Sequence, residues 1–264
     1  MKPAPFAYVR AESVEEAFFA LTEAGGDAKV LAGGQSLLPA LNMRLLRPAT
    51  VVDLNRVPNL DDVLVEKGNV CVGALVRQAD PHLRTHPLLA DAIPHVGHVV
   101  TRNRGTVAGS IAHADPAAEL PLCLTLLGGS VVVRGTAGER EVPADEFFLA
   151  PYMTTISFDE LIVETRWPMP RAGWGYAFCE LAQRHGDYAL CAAAAAVGDG
   201  RLRVAVGAVT PFPTLLEVDP DAPGEWAAEQ VEPWGSIHAS PAYLKQLTRV
   251  LVDRAVARAR ERAA

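Results

Sequence analysis

Cysteine is scarce in this chain and poorly spaced for ligation. The four cysteines, Cys71, Cys123, Cys179 and Cys191, are scattered, with no Cys-x-x-Cys pair. That argues against a zinc or iron–sulfur site within the chain. Buried free thiols are expected instead, and any redox chemistry would need a bound organic cofactor. Excess positive charge is missing too. With 24 Lys and Arg against 31 Asp and Glu, the formal net charge is -7, which argues against nucleic acid and an anionic membrane surface as partners. No apolar run is long enough to span a bilayer. Met1-Lys2-Pro3-Ala4-Pro5 is not followed by a signal-type apolar segment, so the expected location is the cytoplasm. No Gly-x-Gly-x-x-Gly fingerprint, internal repeat or low-complexity linker occurs. His82, His86, His95 and His98 invite a metal reading, but no carboxylate or cysteine stands at ligand spacing with them.

What is present is core. Of 264 residues, 50% are hydrophobic and 21% charged, enough for one large or two modest domains. Residues 6–10 read as a strand. Ser13 and Glu16 form a capping box, Val14, Ala17, Phe18 and Leu21 follow at helical spacing, and Gly25-Gly26 ends that helix. Residues 29–31 are a buried-strand candidate running into Ala32-Gly33-Gly34-Gln35-Ser36, with Ser36 placed to cap a helix over residues 37–43. Strands are expected over 50–54 and 70–74, and residues 78–98 look helical with interruptions at Pro87 and Pro94. Residues 101–121 break the pattern: Gly105 and Gly109 interrupt any helix, Pro116 closes it, and small residues and hydroxyls replace core. An apolar helix over 120–127, a hairpin of 130–134 with 139–142, and a strand over 161–166 come next. Pro, Gly and Arg cluster over 168–175, the best domain boundary. Beyond it, 174–181, 188–197 and 202–209 predict an antiparallel meander and 211–235 is irregular. Ser240-Pro241 opens a last helix striped by Leu244, Leu247, Thr248 and Leu251, with a solvated charged face over 254–262.

The two glycine-rich stretches are the chemistry. A strand, a Gly-Gly turn and a helix N-terminus make an anion site, and successive N–H groups in such loops cradle phosphate oxygens. Either stretch alone reads equally as a tight turn. Two of them can grip a diphosphate from both sides, which points to a dinucleotide without choosing between NAD and FAD.

Ala32-Gly33-Gly34-Gln35-Ser36-Leu37-Leu38-Pro39, together with Thr106-Val107-Ala108-Gly109-Ser110-Ile111-Ala112-His113-Ala114-Asp115-Pro116, resembles the FAD-binding medium subunit of the molybdenum hydroxylases, the family of aerobic carbon monoxide dehydrogenase and xanthine dehydrogenase. Arg184-His185-Gly186-Asp187-Tyr188-Ala189 and Ile237-His238-Ala239-Ser240-Pro241-Ala242-Tyr243 share the resemblance, which covers nearly the whole chain. It implies an α+β fold: an FAD-binding domain over residues 1–170, built of two α/β subdomains of the PCMH type (about 1–55 and 56–170), then a C-terminal domain over 171–264 with a three-stranded antiparallel sheet and helix. Gly33, Gly34, Gln35 and Ser36, flanked by Ala32 and Leu37, match the first pyrophosphate loop; Thr106, Gly109 and Ser110 match the second, and His113 and Asp115 belong to the same motif. Glu119 matches an acidic position at the flavin's adenosine portion, Leu161 or Ile162 a strand residue whose backbone contacts the cofactor, and Tyr188 the neighbour of the flavin ring.

In that family substrate is hydroxylated at a molybdenum cofactor in a large subunit. Electrons then cross 2Fe-2S clusters in a small subunit to FAD in the medium subunit, which passes them to an external acceptor. The resemblance implies those partners, as a dimer of heterotrimers, and a chain that supplies only the flavin step, with no acid–base residue of its own required. The chain departs from the pattern at Ala108, where a glycine is usual, and at Cys179, where the xanthine dehydrogenase branch has lysine. It also looks short over 211–235, where a helix is expected to be missing. That shortness favours a second reading, a stand-alone FAD-dependent oxidase or dehydrogenase of a small molecule. A third is a non-catalytic nucleotide-binding module.

Overall fold

The computed structural model describes residues 2–263. Its first part runs β1 (Ala7–Arg10), α1 (Val14–Glu23), β2 (Ala28–Leu31), α2 (Leu37–Asn42) and β3 (Thr50–Asp53), with the strands parallel in the order β1-β3-β2. Ser13 Oγ accepts the Glu16 N–H at 3.1 Å, as a cap should. The Glu16 carboxylate reaches back to the N–H of Glu12 at 2.7 Å, one residue short of the expected reciprocal bond. Leu31 and Asp53 are register partners at the carboxyl ends of β2 and β3. The 32–36 turn therefore leaves from the edge where open sheets with parallel strands place ligands.

Next come β4 (Val63–Glu66), β5 (Asn69–Gly73), α3 (Pro87–Ala92), α4 (Val99–Arg102), α5 (Val107–His113), α6 (Glu119–Leu127), β6 (Ser130–Gly135), β7 (Gly138–Pro143), α7 (Ala144–Phe147), β8 (Phe148–Ala150), β9 (Met153–Thr154) and β10 (Glu160–Pro168). The main sheet is antiparallel throughout, in the order β4-β5-β10-β6-β7. The helical expectation over 78–98 resolves into 3-10 turns at Pro81–Thr85 and Ile93–His95 on either side of α3. The first 3-10 turn and α3 begin at a proline, and the second 3-10 turn has Pro94 as its second residue, positions where a missing N–H leaves nothing unbonded. Residues 101–121 correct the sequence reading: α5 runs straight through Gly109. That glycine lies in the first turn, where the Thr106 cap offsets its poor helix propensity.

The last part is β11 (Gly175–Ala182), β12 (Ala189–Gly198), β13 (Arg201–Gly207), β14 (Thr214–Leu216), α8 (Pro223–Gln230) and α9 (Pro241–Arg262). Two expectations change here. The antiparallel sheet has four strands rather than three, in the order β11-β12-β13-β14, and α8 fills the region where a helix was expected to be missing. The signal was weak because α8 starts at Pro223 with no side-chain cap on it. The charged end of α9 is also less solvated than expected, since Arg262 bonds the Tyr176 carbonyl at 2.6 Å and pairs with Asp91.

β12 explains how the parts join. Ala192, Ala194 and Ala196 belong to the core shared with α6 and the main sheet, whereas Cys191, Ala193 and Ala195 belong to the core under α9. The strand alternates between two cores with period two, and its small side chains let both layers approach. Every residue of α6 is buried for the same reason. α9 presses closest at Gly175, where a Cβ would lie 1.9 Å from the Ala259 carbonyl oxygen. Gly175→Ala is therefore expected to cost roughly 2–3 kcal/mol and lower Tm by about 4–10 °C. A thermal melt checks this, and an unchanged Tm would mean that β11 and α9 do not meet this closely.

Candidate functional site

The two glycine-rich stretches touch. A Cβ on Gly33 would stand 2.4 Å from the Arg104 carbonyl oxygen, 2.7 Å from Gly105 Cα and 2.9 Å from Thr106 N, so only glycine allows the first loop to lie on the second. Gly34 has φ +74° and turns the chain into α2. Ser36 occupies the cap position with helical dihedrals (φ -100°, ψ -43°), and its hydroxyl makes no cap bond. A capping side chain needs an extended residue, so the expected cap is not formed. Gln35 Nε2 donates to the Gly33 carbonyl at 3.3 Å. Among the described residues, no acceptor in the chain takes the backbone N–H groups of residues 33–37.

The second loop is fixed from behind. The Gln78 N–H donates to the Gly105 carbonyl at 2.9 Å and the Val107 N–H to the Val76 carbonyl at 3.0 Å. Thr106 Oγ1 accepts the Gly109 N–H at 3.0 Å and caps α5, while the N–H groups of Thr106 and Ala108 have no acceptor among the described residues. A Cβ on Gly109 would lie 2.6 Å from Thr106 Oγ1, so a side chain at 109 would disturb the cap as well as any ligand. Ala108, the departure from the family pattern, is buried.

Three residues that the sequence reading missed lock the loops together. Asn55 Nδ2 donates to the Ala32 carbonyl at 2.9 Å, Arg77 Nη2 donates to Asn55 Oδ1 at 2.8 Å, and Arg77 Nη1 donates to the Arg104 carbonyl at 2.7 Å. Gln78 donates from Nε2 to the Thr106 carbonyl at 3.4 Å, and its buried Oε1 has no partner. The available signal was a polar Arg-Gln pair directly after the buried run Ala74-Leu75-Val76.

The other predicted residues gather at the far end of α5, which rises about 10 Å over its length. Ala114 ends α5 in the left-handed conformation and its carbonyl accepts the Tyr152 N–H at 2.9 Å. Tyr152 donates its hydroxyl to Asp115 Oδ2 at 3.2 Å, and its ring lies 5.1 Å from that of His113. Burial, followed by Asp115, pushes the Tyr152 phenol up to about 12. Glu119 is the first residue of α6 and is buried. Burial pushes its carboxyl up to about 8, with Glu180 and Asp115 adding and its own backbone N–H and His95 opposing. Asp115 and Glu119 also add to the burial that raises the Tyr188 phenol, so exposed Tyr188 belongs to this same end. The resemblance put Glu119 at the adenosine portion and Tyr188 at the ring; the charge of Glu119 is felt at the Tyr188 phenol. Leu161 stands apart, buried in β10 opposite Arg134 of β6.

His86 serves the fold. It caps α3 by accepting the Leu88 N–H at 3.1 Å, and burial pulls its pKa down to about 4. Among the described residues no three potential ligands converge as a metal site. All four cysteines are free and buried.

Comparison with known proteins agrees with this geometry. Residues 4–170 match the family model described as the FAD binding domain in molybdopterin dehydrogenase. The whole chain aligns at 39% identity with the 6-hydroxypseudooxynicotine dehydrogenase complex subunit alpha of Paenarthrobacter nicotinovorans, covering 97% of it. Among solved structures, a chain of the carbon monoxide dehydrogenase from Hydrogenophaga pseudoflava superposes with a TM-score of 0.95 at 33% identity, over 100% of both chains. A chain of quinoline 2-oxidoreductase from Pseudomonas putida 86 superposes with a TM-score of 0.92 at 34% identity, over 100% of this chain and 99% of that one.

Removing the brace should loosen both loops without unfolding the protein. In Arg77→Ala, hydrogen exchange of the amides in 32–37 and 102–106 is expected to rise by roughly tenfold, as about 1–2 kcal/mol of local stabilisation is lost. Mass-spectrometric exchange checks it; unchanged loop protection would show that the brace carries no stability.

Proposed function

Because the chain belongs to the FAD-binding domain family of the molybdopterin dehydrogenases, we propose that it serves as the flavoprotein subunit of a multi-subunit molybdenum hydroxylase. In that role it takes electrons from 2Fe-2S clusters of a small partner subunit and passes them through FAD to an external acceptor. A large partner subunit holds the molybdenum cofactor and the reducing substrate, the assembly is a cytoplasmic dimer of heterotrimers, and this chain contributes the step its own residues can support. One observation carries the reading: two loops lie backbone to backbone, and the N–H groups of residues 33–37, 106 and 108 in them find no acceptor among the described residues. Such donors hold a diphosphate without a lysine.

On this reading Gly33, Gly34, Gln35, Ser36 and Leu37 hold one phosphate, with Ala32 fixed by Asn55, while Thr106, Gly109 and Ser110 hold the other. Tyr188 covers a face of the ring by offset stacking. His113 and Asp115 position Tyr152 as a wall at that end, and Glu119 stands at the ring rather than at the adenosine. Leu161 contributes only a backbone contact. The chemistry that bound FAD supplies is storage and release of electron pairs. The division into residues 1–170 and 171–264 belongs to the same proposal. The stand-alone reading rested on a shortened C-terminal region, and β14 and α8 fill that region. A non-catalytic module is the weaker reading for a family of dehydrogenase subunits.

The purified chain is expected to hold FAD in stoichiometric amount, released on denaturation and identified by chromatography. Gly33→Val should remain folded by circular dichroism and lose at least roughly 100-fold in FAD affinity, while Ser36→Ala, which moves no backbone, should lose about 5–10-fold. Parent-like affinity in both variants would place the cofactor elsewhere. Co-purification from the native source should bring a molybdenum subunit and a 2Fe-2S subunit with the chain.

A further inference from the structure

Beside Glu119 lie two further ionisable groups, Glu180 and His95, that none of the roles above uses. Glu180, on β11, has a side chain only 3% exposed, and its Oε1 lies 3.2 Å from His95 Nδ1. Its Oε2 is buried with no hydrogen-bond partner among the described residues. His95 closes the Ile93–His95 turn with a side chain 35% exposed. Its ring centroid lies 5.6 Å from that of Phe178 and 6.2 Å from that of His185, which is on the surface. Glu119 is 7% exposed at the start of α6. α3 packs on both β11 and α6, and the 93–95 turn packs on α6, so the three side chains come from elements in contact.

We propose that Glu119, Glu180 and His95 form a proton relay between the ring of the bound cofactor and solvent. This rests on the reading of Tyr188 as the neighbour of the flavin ring. The balance is simple. As the ring accepts two electrons from the one-electron iron–sulfur donor, the O–H bond of Glu119 breaks and an N–H bond forms on the ring. The Glu119 carboxylate recovers a proton from the His95 imidazolium by way of Glu180 and a water bonded to its second oxygen, which has no partner in the chain among the described residues, and His95 recovers one from bulk water. When the acceptor removes the two electrons, the N–H bond breaks and the proton returns along the same groups.

The electrostatics fit that task. Two buried carboxyls that feel each other's charge cannot both ionise cheaply. Burial and Glu180 keep Glu119 neutral to about pH 8, near the range where a group both gives and takes a proton. The hydrogen bond to Glu180 raises His95 against the effect of its burial. The other groups facing the set are already engaged. Asp115 is bonded to Tyr152 and to the Ala117 N–H, Asp91 on α3 pairs with Arg262, and Cys123 on α6 is held neutral by burial. Tyr188 lies on the ring side.

Two measurements test the relay. In the cofactor-free chain, the infrared carboxylic acid band of Glu119 should persist to about pH 8, vanish in Glu119→Gln and titrate at lower pH in Glu180→Gln. In the FAD-loaded chain, spectroelectrochemistry from about pH 6 to 9 should show a break in the slope of flavin midpoint potential against pH. That break should disappear in Glu119→Gln and move to lower pH in Glu180→Gln. A chain that binds FAD with an unchanged break in both variants overturns the relay alone. A chain that binds no FAD overturns the site reading, and the relay with it, even if the infrared band behaves as expected.

Discussion

The closeness of Gly33 to the backbone of Arg104, Gly105 and Thr106 is the contact on which the rest of the site depends. A hydrogen atom instead of a methyl group at one position lets a loop from the parallel sheet lie directly on a loop from the next layer. Once they touch, two runs of N–H groups without acceptors among the described residues lie in neighbouring loops. These groups cannot satisfy one another, because every one of them is a donor. The chain fixes the backs of the loops through Asn55, Arg77 and Gln78, and leaves the fronts unsatisfied. Unsatisfied donors near a surface cost little while water covers them and become strong binding groups when an anion replaces the water.

The surrounding fold exists to hold that contact still. The first loop is anchored at the carboxyl edge of β2 and β3, the second between Val76 and α5. α5 then passes directly into the fully buried α6, which is gripped between the main sheet and β12. The run of alanines in β12 permits this, because larger side chains would separate either α6 or α9 from the sheet. The two ends of the proposed site are thus set by one short helix and cannot drift independently.

How much of this was legible in the sequence depended on the range of the interaction. Local signals read well: Ser13 and Ser240 as caps, the meander after residue 175, the buried thiols and both glycine loops followed from neighbours in the chain. Gly109 misled, because a glycine inside a helix counts against it until Thr106 is seen capping that turn. β14 and α8 were hidden by prolines and a missing cap. Arg77 and Asn55 are 22 residues apart, and no local pattern marks their bond. The placement of Glu119 and Tyr188 at one end is likewise a product of tertiary packing.

Electrostatics at the two ends of the proposed site completes the picture. A chain with a net charge of -7 gains little from long-range attraction for an anionic cofactor, so binding has to come from short-range donors. At the opposite end the requirement reverses. A ring that gathers electrons gathers negative charge, and two ionised buried carboxylates beside it would oppose that step. Burying Glu119 removes one of those charges by keeping it protonated, and His95 offsets the other at Glu180. On the proposed placement of the ring, desolvation, ordinarily a cost of burying an acid, makes the end of the site that carries Tyr188 tolerant of added electrons.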